Sequence, residues 1–315
     1  MSLLLRKMIF SKAINIERKH FCTNRVKNSF LKPVSLAYAI YENTSVTETL
    51  SQPLIVMHGL FGSKSNWNTL CKVFQQKTYP HRKIIAIDAR NHGDSPHTLH
   101  HSYELLALDL KNFMDEVGIK KASFLGHSMG GRATMLFALQ YPELVEKLIV
   151  VDISPISTSP DISTLPVYMN ALKSLNIPNN IPLSTARTNA DKQLAERGVS
   201  SKGLRAFLLT NLFQNPDGSF NWRVNLPTLL TNLDNIREFP YEEGKVFNGP
   251  TLFIGGSASD YIIESDIPKI KKIFTNSEIQ YIEGAGHWVH SQKPTEFLQI
   301  SLEFLNRRID SGRDV

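Results

Sequence analysis

Lys121 to Tyr141 reads KASFLGHSMGGRATMLFALQY, an apolar run that leads into Gly126-His127-Ser128-Met129-Gly130 and then into an amphipathic helical pattern. This order predicts a strand, a sharp turn and a helix, with one serine at the apex. Gly126 and Gly130 flank that serine at i−2 and i+2, where a Cβ would obstruct a tight strand-to-helix elbow. Small flanking residues let a strained turn push the Ser128 hydroxyl out above a sheet, as a nucleophile requires. A bare G-x-S-x-G is weak, because plain turns use the same residues. Here Ala122 to Leu125 supply the strand and Ala133, Leu136, Phe137 and Leu139 the helix, so context carries the reading.

Working outward, strand and helix patterns alternate on both sides of the elbow. Ser35 to Tyr41 reads as an edge strand and Pro53 to Met57 as a buried one ending at His58-Gly59. Asn66 to Lys77 is a helix, Lys83 to Ile87 a strand, Tyr103 to Val117 a helix, and Lys147 to Ile153 (KLIVVDI) a further strand. Strands joined by helices of this length imply a mostly parallel sheet with right-handed crossovers. The rhythm stops between Pro155 and Asn248. That segment carries helical patterns at Leu165–Leu175, Thr185–Arg197, Leu204–Phe213 and Leu226–Ile236, broken by prolines. Inserted after the C-terminal end of a strand, it falls where open sheets bind ligands and reads as a helical cap. Strands resume at Thr251–Ile254 and Glu278–Ile282, and Thr295–Leu305 closes the fold as a helix. The expected division is 1–32 leader, 33–154 first part of the α/β core, 155–248 cap and 249–315 second part of the core.

The net charge of +6 invites nucleic acid as a partner, but its distribution argues against one. Residues 1–32 hold eight of the 35 basic residues and one of the 29 acids, leaving 27 against 28 and a net of −1 for the remainder. The leader, MSLLLRKMIFSKAINIERKHFCTNRVKNSF, is basic and interleaved with apolar residues, the composition of a mitochondrial transit peptide. A secretory signal would need an unbroken apolar core, which Arg6-Lys7 and Lys12 interrupt. No run approaches the roughly 18 apolar residues of a membrane span, so a soluble or peripheral protein is expected. The two cysteines, Cys22 and Cys71, form neither a disulfide framework nor a metal-ligand cluster.

Three more loops fall at the C-terminal ends of strands. His58-Gly59-Leu60-Phe61-Gly62 lets the backbone approach a ligand, so the N–H of Leu60 (or Phe61) with that of Met129 is the candidate oxyanion hole. Glu283-Gly284-Ala285-Gly286-His287-Trp288 offers a histidine, the side chain suited to proton relay near neutral pH. Of the ten histidines, only His287 occupies the post-strand loop that gives the order Ser, acid, His along the chain. For the acid there are two candidates: Asp152, at the end of KLIVVDI, and Asp260, in the loop after TLFI. Either could hold the imidazole tautomer.

HGLFGSKSNWN, IDARNHGDSPH, GHSMGG, VDISP, WRVNL and GAGHW, within a capped α/β layout from about Pro33 to Arg307, resemble the α/β-hydrolase fold family. Within it they are similar to mitochondrial serine hydrolases described as diacylglycerol lipases and to bacterial esterases. The resemblance implies ester hydrolysis through Ser128 and His287 and a mitochondrial address. Some relatives carry an aspartate after WRVNL that has been considered as the acid; here that position is Pro227. VDISP matches with its aspartate in place. An unpaired carboxylate in a buried apolar strand would cost several kcal/mol, so Asp152 should have a partner and is favoured over Asp260.

The expected activity is therefore two-step acyl transfer on a small-molecule ester, with neither metal nor organic cofactor, since no dinucleotide fingerprint or P-loop is present. A thioesterase or amidase would use the same residues, and a binding module could retain the site. A dehalogenase or epoxide hydrolase would need a carboxylate nucleophile. In the cap, Leu165, Tyr168, Leu172, Phe207, Leu208 and Leu212 exceed what packing the helices on each other needs, so some should line an acyl pocket. The leader generates the first prediction. Residues 1 to about 30 should be removed on mitochondrial import, and a chain beginning near Phe30 should remain folded and active. N-terminal sequencing of imported protein checks this, and secretion or a retained leader contradicts it.

Overall fold

The computed structural model describes residues 32–42 and 51–308. The basic leader and its targeting role lie outside them. In chain order the strands are β1 (Tyr38–Tyr41), β2 (Ser51–Met57), β3 (Arg82–Ile87), β4 (Ala122–His127), β5 (Val145–Val151), β6 (Leu212–Gln214), β7 (Phe220–Trp222), β8 (Thr251–Gly256) and β9 (Ser277–Ile282). The helices are α1 (Asn68–Lys77), α2 (Tyr103–Glu116), α3 (Met129–Gln140), α4 (Leu165–Lys173), α5 (Leu183–Glu196), α6 (Lys202–Leu209), α7 (Leu226–Thr231), α8 (Asp234–Arg237), α9 (Ile267–Ile273), α10 (Val289–Gln292) and α11 (Pro294–Asn306).

Among the described residues one seven-stranded sheet runs β1-β3-β2-β4-β5-β8-β9. Every pairing in it is parallel except β1 with β3, so the sheet is mostly parallel, as expected, with the first strand as its antiparallel edge. The central strands are near-continuous apolar runs because both faces are covered. Leu54, Val56, Ile84, Leu125 and Ile254 pack on one side with Phe74 of α1 and Phe297 of α11. Ile55, Met57, Phe124, Val150 and Phe253 pack on the other with Leu110 of α2, Phe137 of α3 and Ile270 of α9. From β2 the chain steps one way to β3 and then back across to β4, which places the switch point of this α/β sheet beside β2 and β4.

Residues between β5 and β8 form the inserted helices α4–α8, with two differences from the periodicity reading. The helix expected to reach Phe213 stops at Leu209, and Leu212–Gln214 pairs antiparallel with Phe220–Trp222. Asn215-Pro216-Asp217-Gly218 turns this hairpin, with Gly218 at φ +83°. The expected helix Leu226–Ile236 is two short ones, α7 and α8. One buried side chain clasps both ends of the insert. The Arg132 guanidinium, 1% exposed, donates to the carbonyls of Ser154 and Ser157 at 3.1 and 2.8 Å, to Thr158 Oγ1 at 3.0 Å and to the Arg237 carbonyl at 2.6 Å.

Candidate active site

Ser128 stands between β4 and α3 at φ 53°, ψ −119°, a backbone conformation that costs a residue with a side chain. The glycines explain how the turn closes. A Cβ on Gly126 would lie 2.3 Å from the Gly130 carbonyl oxygen, and one on Gly130 would lie 2.5 Å from the carbonyl oxygens of Met57 and His58. The elbow thus seats directly on the end of β2. That contact brings the His58–Gly62 turn beside Ser128.

Three strand-end loops meet at the serine. His287, beyond β9, places Nε2 3.0 Å from Ser128 Oγ and Nδ1 2.8 Å from Asp152 Oδ2. A carboxylate can only accept, so Nδ1–H donates to Asp152, and Nε2 is left to accept from the serine hydroxyl. Asp152 is fully buried. Its Oδ1 accepts from the Gly256 N–H at 2.9 Å, and Oδ2 also accepts from Ser259 Oγ at 2.5 Å. Asp152 lies one residue past the end of β5 at φ 48°, rather than inside the strand as the sequence pattern implied. Asp260 Oδ1 instead accepts from Ser159 Oγ at the entry to the insert, at 2.7 Å.

The imidazole of His287 is held from several sides. Tyr261 stacks on it with centroids 3.9 Å apart, and His127 Nε2–H donates to the His287 carbonyl at 2.9 Å. Neither contact has a sequence signature, although His127 stands in the elbow motif itself. On the facing turn, the N–H of Phe61 is taken by His92 Nε2 at 3.2 Å and the Phe61 carbonyl accepts from Asn211 Nδ2 at 2.8 Å. Among the described residues no protein group takes the N–H of Leu60 or Met129. Of the two alternatives in this turn, Leu60 is therefore the amide that remains available.

The cavity above Ser128 is lined from both parts of the chain. Ile162, Leu165, Tyr168, Leu204, Phe207 and Ile236 of the insert are apolar, as are Leu60, Met129, Ile153 and Trp288 from the rest of the fold, which also supplies Asn66, Trp67, His127 and His290. Of the six cap residues named from sequence, Leu165, Tyr168 and Phe207 reach the cavity. Leu172, Leu208 and Leu212 are buried in the core. Among the described residues no cluster of His, Cys, Asp or Glu could hold a metal ion, and no helix is long and apolar enough to cross a membrane.

Burial pushes five histidines below the ordinary imidazole range: His58, His92, His127, and His101 and His290 to about 3. Neighbouring imidazoles add to this for His92, His127 and His290. The folded protein thus holds these rings neutral where the unfolded chain would protonate them. Unfolded protein binds more protons below about pH 6.5, so stability is intact above that value and falls as pH drops below it. The urea midpoint should fall steeply between about pH 6.5 and 5, ahead of any carboxylate titration. A flat profile over that window would contradict the neutral assignment.

Comparison with known proteins places the fold. A family described as alpha/beta hydrolase fold matches residues 52–294. The chain is 42% identical over 288 residues to the sn-1-specific diacylglycerol lipase ABHD11 of Mus musculus, covering 90% of this chain and 91% of that one. It is 30% identical over 290 residues to ethanol acetyltransferase 1 of Cyberlindnera jadinii, covering 85% and 83%. Among solved structures, a marine microorganism esterase superposes with a TM-score of 0.78 at 36% identity, covering 86% of this chain and 99% of that chain. The chain belongs to the α/β-hydrolase fold family.

Proposed function

We propose that the protein is a serine hydrolase that cleaves carboxylic esters of lipid-like acids, acylglycerols among them, through an acyl-enzyme on Ser128. The observation that carries this reading is the hydrogen-bonded series from Asp152 through His287 to Ser128, opening on a cavity whose insert side is apolar. Relatives named as lipases support it, as does a structural neighbour described as an esterase. His287 Nε2 takes the hydroxyl proton as Ser128 Oγ attacks the ester carbonyl carbon. Asp152 keeps Nδ1–H directed and stabilises the imidazolium that forms. The carbonyl oxygen, now negative, accepts from the N–H groups of Leu60 and Met129, typically about 3–4 kcal/mol per donor in such sites. His287 returns the proton to the departing alcohol, and water then repeats the two steps to release the acid. We also infer that this activity is exercised in mitochondria, from the charge partition of the leader.

Replacing Ser128 or His287 by Ala should each reduce kcat on a short p-nitrophenyl ester by about 10⁴-fold or more, with the double variant scarcely worse than either. Independent, multiplicative losses in folded protein would refute the shared role. Asp152→Asn should cost at least about 100-fold by disfavouring the productive tautomer, and Asp260→Asn less than about 10-fold. The reverse ranking would move the acid to Asp260.

The cavity supplies a separate expectation. Esters of medium or long acids should show lower KM than acetate across a p-nitrophenyl series, since each methylene that leaves water contributes about 0.8 kcal/mol. A flat chain-length profile would mean that the insert packs on the core without receiving the acyl chain.

A further inference from the structure

His290 lies three residues beyond His287 and has no part in the proton path described above. Its ring is 8% exposed. It stacks on Trp67 with centroids 4.3 Å apart and planes 11° apart, and meets His127 edge-on at 4.6 Å. Among the described residues neither ring nitrogen has a hydrogen-bond partner, and Nδ1 is shut off from solvent. The ring nonetheless lines the cavity over Ser128, beside Asn66 and Trp67. Asn66 Oδ1 is occupied by the Ser63 N–H at 2.7 Å, while its amide Nδ2 has no partner among the described residues.

Native interiors seldom leave a buried polar ring unpaired, and a group without a protein partner inside a ligand cavity points to the ligand. Burial and the neighbouring His287 hold the His290 pKa down to about 3, so the ring is neutral, and Nε2, the nitrogen that is not sealed off, either donates or accepts. A hydroxyl can answer either tautomer. A neutral ring offers a carboxylate or phosphate no charge of its own, and an alkyl group would leave the nitrogen as it is. Acyl chains of lipid-like esters carry no hydroxyl, so such a partner belongs to the alcohol portion of the substrate, and Asn66 lines the same cavity.

We propose that His290 is a specificity residue that hydrogen-bonds a free hydroxyl on the alcohol portion of the ester, so that esters of polyols are preferred over those of hydroxyl-free alcohols. This rests on the esterase reading above. A site built to bond a hydroxyl rejects the analogue lacking it, because its own polar groups are then left unpaired.

The experiment compares kcat/KM for glycerol monooctanoate and for its di-O-methyl ether, which carries the same acyl chain and no hydroxyl. Full-length protein should favour the free glycerol ester by about 10-fold, the scale of one buried hydrogen bond. His290→Phe keeps a ring against Trp67 but has no nitrogen, and should bring the ratio close to unity. His290→Gln keeps a donor and an acceptor and should restore part of the preference. A ratio unchanged in His290→Phe, or a full-length protein that hydrolyses both esters equally well, overturns the inference while leaving the esterase reading intact. If His290→Phe does not fold, the comparison of the two esters on the unaltered protein and on His290→Gln decides the matter. Hydrolysis of neither ester overturns the parent reading and this inference with it.

Discussion

A carboxylate sealed from solvent must be paired, and at Asp152 that requirement ties together the ends of three strands. The residue is fully buried past β5. Its two oxygens collect the Gly256 N–H at the end of β8, the Ser259 hydroxyl from the loop that follows, and the His287 imidazole from the loop after β9. An uncompensated charge in such a place costs several kcal/mol, more than a surface loop gains from any one contact, so the carboxylate dictates where the other loops lie. Asp152 at φ 48° and Ser128 at φ 53° are both held in a left-handed backbone conformation that side chains disfavour. They follow adjacent strands, and the Ser128 N–H donates to the Val151 carbonyl at 3.0 Å.

A second set of constraints acts on the turn opposite. Both polar groups of Phe61 are engaged, the N–H by His92 from the loop after β3 and the carbonyl by Asn211 from the insert. His92 can accept there only as a neutral ring, and its Nδ1–H donates to the Arg90 carbonyl at 3.0 Å. Low-dielectric burial, which makes protonation unfavourable, is therefore also what fixes the turn. The same loop is charge-braced: Asp88 accepts from the Lys64 N–H at 2.7 Å and from Lys64 Nζ at 2.5 Å, and Asp94 takes both Lys64 Nζ and Arg223 of the insert.

These arrangements show what a sequence discloses and what it withholds. The elbow was legible because sterics demand small residues at fixed offsets, and the central strands because burial on both faces produces unbroken apolar runs. The α9 helix went unread although Ile267, Ile270 and Ile273 recur at three-residue spacing, since seven residues between two loops give periodicity little room. The β6–β7 hairpin was hidden by helical propensity up to Phe213, while its turn residues stood in plain view. Asn211, His92, Arg132 and Tyr261 act over separations of 22 to 150 residues, through single polar contacts or a ring stacking that no period records. The two candidate acids competed in sequence because both fall at the C-terminal ends of strands, Asp152 closing KLIVVDI and Asp260 in the loop after TLFI. The fold separates them by giving Asp260 to Ser159 and Asp152 to His287.

The bonds across the insert also bear on how such a site can change. Part of its apolar lining comes from α4 and α6, and substitutions there alter the cavity without touching the strand-end loops. Its polar contacts are different in kind. Asn211 holds the Phe61 carbonyl, Arg223 pairs with Asp94, and Asn225 donates both its N–H and its Nδ2 to Asn91 in the turn after β3. Replacing the insert as a block would strip a buried carbonyl of its partner, at about 1–3 kcal/mol, and loosen the turn that faces Ser128. Insert side chains that line the cavity are therefore free to vary one at a time, whereas the insert as a unit is bound to the geometry of the turn beneath it.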